Sequence, residues 1–239
     1  MINLKEISLV DDLSTLPDGK LLINTINAHS YNVAKEDELF SEALSKGDVL
    51  IPDGASIVMA CKWLHANSQP KKRVAGWDLF VHEMTQLNQK GGTCFFMGSS
   101  EKVLAKIKDH AAQTYPNIRV LTYSPPYKPE FSDEDNQAII NAINEAKPDL
   151  LWVGMTAPKQ EKWAYSHWNE LNINCHCGTI GAVFDFFAGT LKRAPLSWQH
   201  RSLEWLYLLL MEPKRMWRRY VIGNFLFIHY IFKEKRGKN

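Results

Sequence analysis

Short apolar runs alternate with longer amphipathic stretches along most of the chain. The apolar runs predict strands, and they read LLINTI from residue 21, DVLIPD from 48, TCFFMG from 93, IRVLTY from 118, DLLWVG from 149 and INCHCG from 173. The stretches between them predict helices over residues 33–47, 55–67, 76–90, 99–115, 132–146 and 158–171. Nearly continuous apolar strands separated by amphipathic helices are typical of a mostly parallel sheet with helices on both faces. The sequence therefore predicts an α/β fold.

Polar and small residues follow the predicted strands. Thr25 and Asn27 come at the end of the first strand, Asp53 ends the second, and Gln160 follows the fifth. Ligands of parallel α/β sheets bind beyond the carboxyl ends of the strands, where these residues gather. A carboxylate, amides, hydroxyls and helix N-termini that favour anions are what a sugar nucleotide needs.

Each of these residues also has an ordinary structural explanation. Asp53 could simply cap the helix that follows it, because Asp is a favoured N-cap residue. Asn27 and Thr25 could be loop hydrogen-bonding residues. The turn at Gly98–Ser100 resembles a phosphate-binding turn, but the chain contains neither GxGxxG nor GxxxxGK[ST], so it has no dinucleotide or P-loop fingerprint.

A glycine-rich stretch, GTIGAVFDFFAG at residues 178–189, combines three glycines with aromatic residues and one acid, Asp185. This composition suits backbone that lies close against a flat ligand, and it includes Gly181. The sequence KRAP follows, and Pro195 must end any helix that precedes it. We therefore predict a core over residues 1–190 and an appendage over residues 191–239.

Charge divides the chain at the same place. Residues 191–239 carry eleven Lys and Arg against three Asp and Glu, whereas the preceding residues carry 17 against 23. The net charge of +2 therefore hides an acidic body and a basic tail, which points to an anionic partner for the tail.

The tail mixes arginines with aromatic residues. Arg215, Arg218 and Arg219 are spaced i, i+3 and i+4, so the first can share a helical face with the other two. This mixture is expected of a helix in the interface of an anionic membrane. The alternative is a tail helix that packs on the body with some arginines exposed.

Several other classes are disfavoured. The longest apolar run, residues 220–232, has 13 residues, and about 20 are needed to span a bilayer. The first residues, MINLKEISLVDDL, carry charges where a signal peptide is apolar, so we predict a cytoplasmic chain. Cys175, His176 and Cys177 would alternate across a strand and could not converge on a metal.

Six motifs, taken in order, make the chain similar to a known family. They are TxN at Thr25–Asn27, PDG at residues 52–54, RVAGWDL from residue 73, APKQEKW from 157, GAVFDFFAG with KRAP, and EWLY followed by EPKRMWRRY. This combination resembles the WecG/TagA/CpsF family of bacterial glycosyltransferases, and the resemblance runs from about residue 24 to residue 227.

The resemblance implies an inverting transferase that works on the inner face of the cytoplasmic membrane. Family members move an amino sugar of the N-acetylmannosamine type, or a related sugar, from a UDP-sugar to a polyprenyl-pyrophosphate-linked saccharide in teichoic acid or exopolysaccharide synthesis. The implied fold is a Rossmann-like core with a helical, membrane-associating C-terminal appendage, and no metal or other cofactor is expected. The donor sugar, the acceptor glycan, and whether the protein forms a homo-oligomer stay open.

Roles carry over to matching positions only as the resemblance implies them. Asp53 is the expected catalytic base. Thr25 and Asn27 are expected to hold the sugar or the acceptor. Arg73 and Gln160 are expected to line the pocket. Gly181 and Asp185 of the glycine-rich stretch are also expected to bind substrate, with Asp185 reading the uracil. Arg215, Arg218 and Arg219 are expected at the leaving pyrophosphate, although Arg219 could instead face lipid headgroups.

One position departs from the family pattern. Family members commonly carry an arginine where this chain has Leu208, so either Arg201 or Arg193 substitutes for it or the leaving group meets one fewer cation. Two other functions are the alternatives. A non-catalytic nucleotide-sugar-binding protein would not need Asp53, and nucleic-acid binding is disfavoured because the body is acidic and the aromatic residues of the tail cluster with aliphatic ones.

Overall fold

The computed structural model describes residues 1–195, 197–198, 204–211 and 213–237, except for the side chains of residues 204, 205, 208, 215, 216 and 219. The strands of this part are β1 Leu21–Ile26, β2 Val49–Pro52, β3 Gly92–Gly98, β4 Ile118–Tyr123, β5 Leu150–Gly154 and β6 His176–Thr179. They form one sheet of six described strands in the order β2-β1-β6-β5-β3-β4, and every neighbouring pair is parallel. The predicted α/β fold is confirmed.

Helices connect the strands and continue after the last one. The described helices are α1 Ala28–Ala34, α2 Glu38–Lys46, α3 Ala55–Leu64, α4 Gly76–Lys90, α5 Glu101–Thr114, α6 Asp133–Ala146, α7 Lys159–Ser166, α8 Gly181–Phe187, α9 Glu204–Met211, α10 Pro213–Trp217 and α11 Gly223–Lys235. A π-helical stretch, Arg218–Ile222, joins α10 to α11. Short 3-10 helices lie at Leu13–Thr15 and Trp168–Glu170.

Four predicted elements differ from the observed ones by three residues or more, and two of them are helices predicted over residues 55–67 and 158–171 that end at Leu64 and Ser166. The helix predicted over residues 33–47 is wrong, because α2 starts afresh after Asp37, whose carboxylate accepts a hydrogen bond from Phe40 N at 2.9 Å and caps it. The last strand begins at His176 rather than at residue 173. His176 is where this strand comes into register with Leu21 and Leu150, the first residues of its two neighbours.

The core lies on both faces of the sheet, because successive side chains of a strand point to opposite sides. One face packs against α4, α5 and α8 through residues such as Ile23, Phe96 and Trp152. The other packs against α6 and α7 through residues such as Leu22 and Leu151. A third apolar cluster joins α1, α2, α3 and α11 beside β1 and β2.

The Cys-His-Cys run alternates across the sheet as predicted. Cys175 and Cys177 are buried in the layer of α6 and α7. His176 points to the other face, where its Nδ1 lies 3.1 Å from Glu83 Oε2 of α4. The three side chains therefore do not converge on one point.

The last helix of the predicted appendage packs against the core. Phe227 and Ile231 of α11 are buried in the cluster that contains Tyr31, and Asn32 Nδ2 donates to Gly223 O at 2.7 Å. The alternative of a packed tail helix therefore holds for α11, while the boundary at residue 190 stays a prediction. Among the helices of the described residues, none is both long and apolar enough to cross a bilayer.

Candidate active site

Four neighbouring strands end side by side at one edge of the sheet. In sheet order, β2 leads into Asp53, β1 into Asn27, β6 into Gly181 and β5 into Met155. Asp53 N donates to Ile26 O at 2.8 Å, which brings Asp53 beside the end of β1. A Cβ on the next residue, Gly54, would lie 3.5 Å from Asn27 Cβ. The predicted site residues Asp53 and Asn27 are therefore adjacent.

Asp53 does not occupy the N-cap position of α3. The N-cap residue is Gly54, so Asp53 lies one residue before that position. The half-buried Asp53 carboxyl lies one residue beyond β2, at the edge where ligands of parallel sheets bind.

Asn27 has a clear structural role. Its Oδ1 accepts hydrogen bonds from His29 N at 3.0 Å and Ser30 N at 3.1 Å, and Ser30 Oγ accepts from Asn27 N at 2.8 Å. This capping box starts α1, so the hydrogen-bonding explanation for Asn27 is confirmed and substrate contact stays a prediction. Thr25 lies on β1 in register with Ile51 of β2, half-buried, and its contact with substrate also stays a prediction.

Gln160 joins the ends of β5 and β6. The residue is buried, its Oε1 accepts from Met155 N at 3.0 Å, and its Nε2 donates to Glu161 Oε1 at 2.8 Å. A Cβ on Gly181 would lie 2.0 Å from Met155 O and 2.6 Å from Gln160 Oε1. Glycine is required at position 181 because the two turns approach this closely. The glycine-rich composition predicted backbone close against a ligand, but the close contact seen at Gly181 is with Met155 and Gln160 of the protein itself.

Glu161 is a buried acid that the sequence reasoning missed. It is 3% exposed, and burial raises the pKa of its carboxyl from 4.5 to about 7 against the opposing effect of the Gln160 hydrogen bond. Its Oε2 has no hydrogen-bond partner among the described residues. No sequence signal indicated this burial, because Glu161 stands between Lys159 and Lys162, the usual pattern of a solvated helix face.

Arg73 lies next to the end of β2, since the following residue, Val74, donates its N–H to Pro52 O at 2.9 Å. Arg73 and Trp77 border a cavity of about 490 Å³. The guanidinium carbon of Arg193 lies 5.0 Å from the centre of the Trp77 ring. Arg193, one of the two candidates to replace the missing family arginine, therefore sits above α4 near this cavity.

Asp185 lies one helical turn after Gly181 on α8. Its side chain is half-buried, and its Oδ1 accepts a hydrogen bond from Thr190 Oγ1 at 3.0 Å. Its predicted reading of uracil is not tested by this contact and stays a prediction.

The tail arginines are only partly described. Arg218 is exposed on the π-helical stretch before α11. The side chains of Arg215, Arg219 and Leu208 and the whole of Arg201 lie outside the described part of the chain. The proposed contacts of these residues with a pyrophosphate stay predictions. Within the described part, no group of three or more His, Cys, Asp or Glu residues is placed to hold a metal ion.

Comparisons with known proteins identify the family of the chain. A sequence model described as "Glycosyl transferase WecG/TagA/CpsF family" matches residues 3–239. The N-acetylglucosaminyldiphosphoundecaprenol N-acetyl-beta-D-mannosaminyltransferase of Bacillus subtilis strain 168 is 30% identical over 218 residues, 91% of this chain and 81% of that protein. The protein of the same name from Staphylococcus aureus strain MW2 is 28% identical over 239 residues, 98% of this chain and 90% of that protein. The chain therefore belongs to the WecG/TagA/CpsF family of glycosyltransferases.

Proposed function

We propose that this glycosyltransferase moves N-acetylmannosamine, or a closely related sugar, from a UDP-sugar to a polyprenyl-diphosphate-linked saccharide. The observation that carries the proposal is the position of Asp53, a carboxyl group at the carboxyl edge of the sheet, directly after β2 and beside the end of β1 and Asn27. The names of the relatives supply the substrate classes, because those proteins are named as mannosaminyltransferases acting on N-acetylglucosaminyldiphosphoundecaprenol.

In the proposed reaction, Asp53 acts as a general base. Its carboxylate takes the proton of an acceptor hydroxyl while that oxygen attacks the anomeric carbon of the donor from the face opposite UDP. The new glycosidic C–O bond forms as the C–O bond to UDP breaks, so the configuration inverts and UDP leaves with the electron pair. Arg218, together with Arg215 and Arg219, would stabilise the charge on the departing diphosphate. The proposal requires no metal ion or other cofactor.

The other roles follow the same edge of the sheet. Thr25 and Asn27 would hold the sugar or acceptor beside Asp53. Asp185 of α8 would accept a hydrogen bond from the N–H of uracil. Gln160 would act through the turn that contains Met155, because both ends of its amide already bond within the protein.

The test is UDP release with a panel of UDP-sugars, measured with and without a short-chain polyprenyl-diphosphate N-acetylglucosamine and with and without a metal chelator. We expect release that depends on the acceptor, is fastest with one donor and is unchanged by the chelator. Tight UDP binding without release under any of these conditions would contradict the proposal and favour a nucleotide-sugar-binding protein. Loss of release with the chelator would contradict only the metal-free part.

We also propose that the enzyme binds the anionic membrane surface that would carry its acceptor. The buried face of α11 contains Phe227 and Ile231, yet Phe225, Ile228 and Phe232 of the same helix are 73%, 50% and 50% exposed. The Phe232 ring lies 4.9 Å from that of Trp63 of α3, so the two helices share one exposed apolar surface. Exposed basic residues of the same helices are Lys62, Lys233 and Lys235, followed by Arg236.

Vesicle flotation tests this membrane surface. Replacing Phe225, Ile228 and Phe232 by Ser should weaken binding to vesicles that contain phosphatidylglycerol by at least about tenfold, since each buried apolar side chain contributes on the order of 1.5 kcal/mol or more. Tyr127→Ser is the matched control, because Tyr127 is a fully exposed aromatic residue on the connection from β4 to α6. Equal flotation of the triple variant and this control would contradict the proposal.

A further inference from the structure

Glu161 is the buried charged group whose role the reaction leaves unexplained. Its carboxyl is almost fully removed from water, and only one of its two oxygens has a hydrogen-bond partner among the described residues. Burying a carboxyl group with an unpaired oxygen costs free energy that an apolar residue at the same position would not cost. Its hydrogen-bond partner among the described residues is the Gln160 amide.

The contact continues to the edge of the sheet in three steps. Glu161 Oε1 accepts from Gln160 Nε2 at 2.8 Å, and Gln160 Oε1 accepts from Met155 N at 3.0 Å. Gly181, the first residue of α8, packs against both Met155 O and Gln160 Oε1, closely enough that a Cβ would not fit. The orientation of the Gln160 amide therefore links the turns that follow β5 and β6.

A side-chain amide can present oxygen or nitrogen to either neighbour, and here both neighbours favour the same orientation, because the Met155 N–H can only donate. A carboxylate only accepts hydrogen bonds, so it holds the Nε2 side of Gln160 and leaves Oε1 for the Met155 N–H. We propose that Glu161 is a positioning residue for the transfer reaction, one that fixes the Gln160 amide and thereby the Met155 and Gly181 half of the substrate edge. This inference rests on the proposed function.

The surroundings of α7 isolate Glu161 from other charges. The charged groups on α7 and on the elements packed against it are Lys162 paired with Asp37, His167 paired with Glu170, Lys46 paired with Glu42, Lys159 bonded to Lys128 O, and Glu38 exposed on α2. Burial is accordingly the largest cause of the raised pKa of Glu161. The carboxylate that holds Gln160 most strongly is lost as the pH falls through about 7.

The same pKa shift sets the sign of the effect on stability. Because the folded chain keeps the Glu161 proton up to about pH 7 and the unfolded chain loses it near 4.5, folding stability falls as the pH rises across this interval. Above pH 7 the full cost of the buried charge applies. Glu161→Met removes that cost, so it should leave the melting temperature at pH 8 unchanged or raise it.

Two variants and one control test the inference with the full-length enzyme at pH 8. We expect Glu161→Met to lower kcat/KM for transfer about ten- to a hundred-fold, because a hydrogen bond to a charged group is lost. Glu161→Gln, whose amide oxygen can still accept from Gln160, should recover most of that loss. Glu170→Gln, the same change at an exposed carboxyl just after α7, should match the wild type. The ratio of wild-type to Glu161→Gln activity should decrease when the pH is lowered from 8 to 6, because the wild-type carboxylate becomes protonated over this range.

The outcomes separate this inference from the proposed function. Wild-type kcat/KM in a folded Glu161→Met variant would overturn the positioning role, and so would loss of folding in both Glu161 variants, which would make the residue a structural one. If the wild-type enzyme itself showed no acceptor-dependent UDP release, the proposed function would fail. In that case UDP affinity, measured by calorimetry, still tests the inference, since unchanged affinity in Glu161→Met would overturn it as well.

Discussion

Asp53→Asn is expected to lower kcat for sugar transfer by a factor of about one hundred to ten thousand, the usual contribution of a general base. The amide has nearly the shape of the carboxylate but cannot take the acceptor proton. The fold should be unaffected, because asparagine keeps an acceptor oxygen in nearly the same place and the backbone hydrogen bond from Asp53 N to Ile26 O does not involve the side chain. Steady-state UDP release with saturating donor and acceptor measures kcat directly.

Two comparisons make the Asp53 result specific. UDP affinity of the Asp53→Asn variant, measured by calorimetry, should stay within about threefold of the wild type, since a base that acts on the acceptor adds little to binding of the leaving group. Asp109→Asn, an exposed carboxyl on α5, should leave kcat unchanged. Full activity of Asp53→Asn would remove Asp53 as the base and with it the observation that carries the proposed function.

Local patterns were sufficient to place Asp53 and Asn27 at one edge of the sheet. Both follow apolar runs that end in a polar residue, and parallel strands bring their carboxyl ends together whatever the details of the helices. The helix predicted over residues 33–47 failed at Asp37 for an equally local reason. Amphipathic spacing continues through this residue, but a side chain that caps a new helix start outweighs it.

The buried acids could not be predicted, because their burial depends on contacts between distant parts of the chain. Glu161 lies between lysines in the sequence, the usual pattern of a solvated helix face. Glu234 stands between Lys233 and Lys235 and is 3% exposed only because α11 packs on α1. The same holds for Gly181. The composition of the stretch around it suggested a ligand, whereas glycine is needed there because the carbonyl oxygen of Met155 leaves no room for a side chain.

The tail shows how composition alone can merge two roles. The mixture of aromatic and basic residues predicted a membrane helix, and a packed helix was the competing interpretation. In α11 the two coexist, because Phe227 and Ile231 pack inward while Phe225 and Phe232 remain exposed. A helix with apolar residues on both sides can be held by the core and still present an apolar surface to a bilayer.

Glu234 attaches α11 to the core through buried polar contacts, and Glu234→Ala is expected to destabilise the protein by about 3–5 kcal/mol. The Glu234 carboxylate accepts hydrogen bonds from the Tyr31 hydroxyl and from Leu4 N at 3.2 Å, and it lies 3.0 Å from Lys35 Nζ. Truncation would leave a mostly buried ammonium group, a hydroxyl and a backbone N–H without their acceptor. Urea unfolding followed by circular dichroism measures the change in the free energy of unfolding.

Glu36→Ala provides the matched control, because Glu36 also bonds α11 to the body, through Tyr230 OH at 3.2 Å, but at an exposed position. An exposed contact of this kind is worth at most about 1 kcal/mol, since water replaces the lost partner. Similar losses in the two variants would mean that burial of Glu234 adds nothing and that α11 is held mainly by Phe227 and Ile231. A loss of stability confined to Glu234→Ala would instead mean that the buried contacts of Glu234 hold α11, and with it the exposed apolar surface, against α1. Asn27 starts α1 at the edge of the sheet.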